Sequence, residues 1–151
     1  MLIRVDDLRG PEIAAFLEAH LEDMRAVSPP ESKHALDLDG LRRPEITFWT
    51  VWDGDRLVGS GALKELDSAH AEIKSMRTDA KSRGRGVASA LLTHILAEAA
   101  RRQYSRVSLE TGSGEYFAPA RGLYEKFGFA VCEPFADYVV DPNSYFMTRE
   151  I

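Results

Sequence analysis

The chain contains little cysteine and no long apolar run. Cys132 is its single cysteine, so the sequence excludes an internal disulfide and favours a reducing compartment, which we expect to be the cytoplasm. No histidine forms a recognisable motif beside Cys132, and we therefore expect a packing residue rather than a nucleophile. No apolar run approaches the roughly 20 residues that cross a membrane. Acidic residues follow Val5, so we expect neither a secretory signal nor a membrane partner.

An excess of positive charge is also missing. The 151 residues carry a formal net charge of −5, which argues against unspecific binding to nucleic acid. The basic residues between Arg77 and Arg85 therefore form a local patch in an acidic protein, and such a patch favours a small anionic cofactor. The length and the apolar content of 44% predict one domain, residues 1–151, with its own core.

The residues from Ala71 to Ala99 carry the most informative pattern. Ala71 to Thr78 predict a strand, and two glycines then precede an amphipathic helix. A strand, a glycine-containing loop and a helix N-terminus form a phosphate cradle, because the first helix amides lack internal acceptors and the helix dipole is positive there. Arg83 and Arg85 add side-chain charge around the anion.

Two common phosphate loops do not match this stretch. A Walker loop has Lys followed by Ser or Thr after its last glycine, whereas Val87 and Ala88 follow here. A dinucleotide fingerprint has three glycines, and this loop has two. Nucleotide-phosphate binding is therefore the less favoured alternative.

A different loop does match. Arg83-x-x-Gly86-x-Ala88 resembles the acetyl-CoA pyrophosphate loop of the GCN5-related N-acetyltransferases, the GNAT superfamily, and Leu123 to Phe129 resembles the Leu-Tyr-x-x-x-Gly-Phe end of a late family helix. The resemblance extends over most of the chain. It implies acetyl-CoA as cosubstrate, no metal, and direct attack on the thioester by a primary amine of a small-molecule or peptide acceptor. Because family members are often dimers, a homodimer is a further expectation.

The resemblance implies a mixed α/β fold with a central sheet of six or seven strands and helices on both faces. The residues themselves predict an antiparallel meander of three strands, Ile46 to Trp52, Arg56 to Leu66 and Ala71 to Thr78. Val107 to Thr111 follow a long helix, so we expect them to pair parallel to the last of these strands by a right-handed crossover. Phe129 to Val139 and Ser144 to Arg149 predict a closing hairpin.

The resemblance also assigns cofactor contacts. The strand backbone of Met76, Arg77 and Thr78 would pair with the pantetheine arm. The pyrophosphate would lie on the loop and the first helical turn, namely Arg83, Gly84, Arg85, Gly86, Val87, Ala88 and Ser89. Tyr124 resembles the tyrosine that stands near the CoA sulfur and protonates the thiolate. Many members place Asn seven residues before it to hydrogen-bond the cofactor, but Phe117 stands here, so that role passes to Ser113 or to the backbone, or is lost.

Proton transfer from the amine needs a base, and Glu72 is the first candidate. In several GNAT enzymes this place carries the general base, and a glutamate inside an apolar strand can have a raised pKa. The alternative is a solvent-facing carboxylate on a strand edge. Glu110 and Asp137 compete for the role. His34 and Glu110 are candidates for substrate binding, although a surface histidine is the plainer interpretation of His34.

A second function belongs to a different class. Phe117 in place of the family Asn, and the lack of a certain base, favour a CoA-binding sensor or partner module that performs no turnover. Thioester consumption measured with a panel of amines distinguishes such a module from an enzyme. The sequence does not select an acceptor, since this fold serves many amines.

Overall fold

The computed structural model describes residues 1–27 and 38–151, and the expected substrate contact His34 lies outside them. The described residues form one seven-stranded sheet flanked by helices. The strands are β1 (Leu2–Val5), β2 (Ile46–Asp53), β3 (Arg56–Glu65), β4 (His70–Thr78), β5 (Arg106–Gly112), β6 (Ala130–Val131) and β7 (Ser144–Glu150). The α-helices are α1 (Pro11–Val27), α2 (Leu38–Leu41), α3 (Val87–Arg101) and α4 (Ala118–Lys126).

The sheet has the order β1-β2-β3-β4-β5-β7-β6. Short turns connect β2, β3 and β4 into the expected antiparallel meander. The long helix α3 then leads to β5, which pairs parallel to β4. All other strand pairs in the described sheet are antiparallel. The predicted mixed α/β architecture is therefore confirmed.

The two faces of the sheet bury separate apolar clusters. Neighbouring residues of a strand point to opposite faces, so Phe48 packs with α1 and α2, whereas Trp49 packs with α3. The same alternation separates Ala62 from Leu63. Helix α3 buries one continuous stripe, Val87, Leu91, Leu92, Ile95, Leu96 and Ala99. Within residues 1–27 and 38–151, no helix combines the length and apolarity that spanning a bilayer requires.

The expected closing hairpin is wrong in its first half. Only Ala130 and Val131 of the expected strand from Phe129 to Val139 pair with β7. Pro134 has no N–H to donate to a sheet, and Ala136 adopts a positive φ of 51°, which interrupts extended backbone. Beyond Cys132, whose N–H still donates to the Phe146 carbonyl at 2.9 Å, Phe135 and Tyr138 instead lie on the sheet face that carries α1 and α2.

Strands β4 and β5 separate partway along their length. Their pairing runs from His70 opposite Arg106 to Ile73 opposite Leu109 and then stops. Just beyond it, Ser75 has a positive φ of 57°, and the register between β3 and β4 shifts. This bulge bends β4 away from β5. The result is a split, which we define as the gap between residues 74–78 of β4 and residues 110–112 of β5.

Candidate active site

The open end of the split faces a loop whose backbone suits an anion. Gly84 and Gly86 adopt positive φ values of 78° and 81°, a conformation that costs glycine little. Gly86 is the N-cap of α3 and makes no side-chain cap hydrogen bond. The amides of the first turn, Val87 to Ser89, therefore have no partner within the helix. Together with the helix dipole, they form an anion site at the end of β4.

The arginines around this loop have different surroundings. The exposed Arg85 side chain pairs with Asp53 at 3.1 Å, and Arg83 is also exposed. The Arg77 side chain instead crosses to α1, where it contacts Asp23 at 2.7 Å and stacks over Phe16. Arg83 and Arg85 thus remain accessible to an anion, whereas Arg77 can offer a ligand only its backbone.

Tyr124 of α4 is buried against Phe129, with ring centroids 5.8 Å apart. Burial raises the pKa of its phenol well above the usual value. The side chain is 6% exposed, and among the described residues no hydrogen bond to its hydroxyl is seen. A phenol of this kind stays protonated at neutral pH and retains a proton to donate.

Phe117 occupies the position at which the family pattern has Asn. Its ring lies directly on Gly112 at the end of β5, where an added Cβ would come within 2.0 Å of the ring atom Cδ2. Ser113, the expected substitute, donates its hydroxyl to the Pro142 carbonyl at 2.7 Å. The β5 end of the split is therefore lined by an aromatic ring instead of an amide.

Glu72 lies on the sheet face that carries α1 and α2, and it is only 2% exposed. The solvent-facing alternative is therefore wrong. Its Oε2 atom accepts hydrogen bonds from Lys74 Nζ at 3.2 Å and from the Tyr138 hydroxyl at 2.5 Å. The Lys74 ammonium also donates to the Tyr138 oxygen at 3.0 Å. Burial and the Glu72 carboxylate raise the pKa of Tyr138.

Glu110 is the first residue of β5 beyond its pairing with β4, so it stands at the closed end of the split. Burial raises its pKa from 4.5 to about 7, against the opposing effects of a Ser144 hydrogen bond and the Lys74 charge. A carboxyl group with this pKa exchanges protons at neutral pH. Asp137, the third candidate base, is exposed.

A cavity of about 400 Å³ opens on the same sheet face, beside the β4 bulge. Helices α1 and α2 supply most of its wall. Its lining includes Leu17, His20, Leu21, Leu41, Arg42 and Ser75. Burial lowers the pKa of His20 to about 4, and the Arg77 charge acts in the same direction. The His20 imidazole on the cavity wall is therefore uncharged at neutral pH.

The structure brings the loop, β4 and Glu110 to one place. The contacts of Lys74 and Tyr138 with Glu72 were not predicted from the sequence. Lys74 had a local signal, since residues two apart on a strand share a face. Tyr138 had none, because 66 residues separate it from its partner Glu72.

The model of the acetyltransferase (GNAT) family matches residues 13–129. The chain belongs to the GNAT acetyltransferase family. It is 58% identical over 151 residues, all of both chains, to a Bacillus subtilis (strain 168) protein named as an uncharacterised N-acetyltransferase, YsnE. It is 52% identical over 146 residues, 97% of this chain and 92% of the other, to an Escherichia coli (strain K12) protein named in the same way, YedL.

One further relative and one solved structure are also similar to this chain. The chain is 36% identical over 136 residues to a protein named IAA acetyltransferase from Azospirillum brasilense, covering 89% of this chain and 86% of that one. An aminoglycoside 6'-N-acetyltransferase solved with coenzyme A superimposes with a TM-score of 0.72 at 17% identity, over 99% and 97% of the two chains. This last likeness concerns the fold. The family match and the named relatives identify the chain as an acyltransferase enzyme.

Proposed function

We propose that this chain transfers the acetyl group of acetyl-CoA to a primary amine of a small-molecule or peptide acceptor by direct attack. The observation that carries the proposal is the split between β4 and β5, which opens towards the N-terminus of α3. One end offers amides for a pyrophosphate, and the other end holds titratable side chains. No covalent enzyme intermediate is needed.

The cofactor assignment rests on backbone groups. The pyrophosphate would accept hydrogen bonds from amides within residues 83–89, with Arg83 and Arg85 adding charge. The pantetheine arm would lie along residues 76–78, whose edge towards β5 is unpaired, and would bond to it as a strand does. The aminoglycoside 6'-N-acetyltransferase with the same fold was solved in complex with coenzyme A, and this supports the proposal that the present chain also binds CoA.

Tyr124 suits the role of proton donor to the leaving thiolate. Free thiols have a pKa of roughly 8.5, so the protonated thiol is the stable form of the leaving group at neutral pH. The raised pKa of the Tyr124 phenol keeps its hydroxyl protonated, so this hydroxyl can donate a hydrogen bond to the sulfur as negative charge develops there. Its oxygen has no competing hydrogen bond among the described residues, and this leaves it available to sulfur.

The geometry favours Glu110 over Glu72 as the base for the acceptor amine. Glu72 is only 2% exposed and already accepts hydrogen bonds from Lys74 and Tyr138, so an external amine would have to displace these side chains to reach it. Glu110 stands at the closed end of the split with a pKa of about 7. This value places it near the optimum for general base catalysis at neutral pH.

The acceptor is proposed only as a primary amine. The cavity of about 400 Å³ beside the β4 bulge has the size of small-molecule sites. The relatives' names point to different compounds, so they do not narrow the choice for this chain.

Calorimetric titration and thiol release test the proposal together. We expect binding of CoA and acetyl-CoA with no comparable binding of ATP, and release of CoA thiol when an amine from a chemically varied panel is added. Tight CoA binding without turnover on any amine would favour the sensor alternative. Preferential binding of ATP would refute the cofactor assignment.

A further inference from the structure

Lys74 is a buried ammonium beside the proposed reaction centre, and the transfer to an external amine gives it no role. Its side chain is 11% exposed, and its Nζ atom lies 3.2 Å from Glu72 and 3.0 Å from the Tyr138 hydroxyl. Lysine is almost never buried without a partner, and here the partner is the Glu72 carboxylate. Lys74 therefore supplies an amine, and Glu72 supplies a possible base in direct contact with it.

We propose that Lys74 is an internal acetyl acceptor, so that the enzyme acetylates itself at this residue. The inference rests on the proposed function, because acetyl-CoA must lie in the split. From Thr78 at the open end to Lys74 at the closed end, four residues of strand span roughly 13 Å. An extended pantetheine arm has a comparable length. With its pyrophosphate on the α3 amides, the arm delivers the thioester to the level of Lys74.

The faces of the sheet agree with this placement. Lys74 pairs in register with Ala62, which belongs to the apolar cluster under α1 and α2. The Lys74 side chain therefore stands on the face where the cavity opens, which is the side from which an external acceptor would arrive. The Lys74 charge also acts on the Glu110 carboxyl across the split, so the two side chains flank its closed end.

The acetyl transfer requires only Lys74, Glu72, Tyr124 and acetyl-CoA. The Lys74 ammonium gives one proton to Glu72, and the neutral amine nitrogen attacks the thioester carbonyl carbon. The carbon–nitrogen bond forms and the carbon–sulfur bond breaks. The second amine proton passes to the departing thiolate, either directly or through Tyr124, which gives its hydroxyl proton to the sulfur and takes the amine proton in its place. The products are acetylated Lys74, the CoA thiol and a protonated Glu72, which later returns its proton to solvent.

Self-acetylation changes the site that performs it. Acetylated Lys74 is neutral, so Glu72 loses its cation, and an unpaired buried carboxylate has a raised pKa. The added acetamide also fills the closed end of the split. The modified enzyme should therefore acetylate an external amine more slowly. Self-acetylation would in this way inhibit the enzyme.

The test uses the whole chain and acetyl-CoA with a deuterated acetyl group, followed by intact mass measurement and peptide mapping. We expect one labelled acetyl group on Lys74 at a rate that saturates with acetyl-CoA and does not depend on protein concentration. Lys64 is the matched control, because it lies opposite Glu72 on β3, on the same face but away from the split. The Lys74→Arg variant should acquire no label at this position, and Lys64→Arg should be labelled as the wild type is.

Three outcomes overturn the proposal. Label spread evenly over the five lysines, as in the urea-unfolded chain, would indicate uncatalysed chemistry. An unlabelled Lys74 in a protein that binds acetyl-CoA and releases thiol with an external amine would refute self-acetylation and leave the proposed function intact. Absence of acetyl-CoA binding in calorimetry would refute both. Site mapping on the wild type keeps the test valid if a variant fails to fold.

Discussion

Replacing each of the two buried carboxylates by its amide should have opposite effects on stability. Glu110→Gln removes a carboxyl group whose pKa rises from 4.5 to about 7 on folding. Between these values the folded chain binds more protons than the unfolded chain, so this group's contribution to stability is present below pH 4.5 and is lost as the pH rises through about 7. The difference corresponds to at most about 3 kcal/mol.

Glu110→Gln should therefore unfold at the same urea concentration as the wild type at about pH 4 and at a higher one at about pH 8.5. Glu72→Gln should be less stable than the wild type at neutral pH, by up to about 3 kcal/mol, because it leaves the Lys74 ammonium without its carboxylate. Urea unfolding followed by tryptophan fluorescence measures both. Equal, pH-independent effects of the two substitutions would refute the distinction between the Glu110 carboxyl group, whose pKa is raised, and the ion-paired Glu72.

The same pair of variants separates the catalytic roles. As the base, Glu110 must be ionised, so wild-type turnover should rise with pH through about 7. Glu110→Gln should lower turnover by about 10²–10⁴ and abolish that rise, with CoA affinity unchanged. Retention of the acidic limb in Glu110→Gln and its loss in Glu72→Gln would assign the base to Glu72 instead.

Four further substitutions test the loop, the proposed proton donor and the packing at the end of β5. Gly86→Ala should weaken CoA binding about tenfold or more, because φ of 81° costs alanine about 1–2 kcal/mol and the first α3 amides then turn away. Gly128→Ala, at φ of 89°, should lower stability similarly and leave CoA affinity unchanged. Tyr124→Phe should lower turnover about 10²-fold with little change in calorimetric CoA affinity. Gly112→Ala should lower the melting temperature, because the new Cβ meets the Phe117 ring, and added Phe117→Ala should restore it.

Each of these has a clear contrary result. Equal loss of CoA affinity in the Gly86 and Gly128 variants would mean that general destabilisation, not the loop, governs binding. Full turnover in Tyr124→Phe would make Tyr124 a packing residue. A melting temperature that the Phe117 change does not restore would place the cost of Gly112→Ala elsewhere.

The sequence allowed prediction where the signals were local. The apolar stripe of α3, the turn at Asp53 and Gly54, and the glycines before Val87 each act within a few residues. They were sufficient for the meander, the crossover and the loop. The strand predicted from Phe129 to Val139 was wrong. Pro134 and the positive φ of Ala136 interrupt extended backbone there, although the segment is rich in apolar and aromatic residues.

The environment of the carboxylates could not be predicted in the same way. Glu72 and Glu110 are both glutamates within strands, and only Glu72 has a basic residue two positions away, Lys74; nothing near Glu110 in the sequence indicates its raised pKa. The difference depends on Tyr138, which comes from a distant segment, and on where β4 and β5 separate. Such long-range placements decide pKa values through burial and charge.

A crystal structure of the chain with CoA tests the central claim most directly. We expect pyrophosphate oxygens within hydrogen-bond distance of the Val87 to Ser89 amides, a pantetheine arm paired with residues 76–78, and sulfur next to the Tyr124 hydroxyl. A coenzyme bound outside the split, or a pyrophosphate away from the α3 N-terminus, would contradict it.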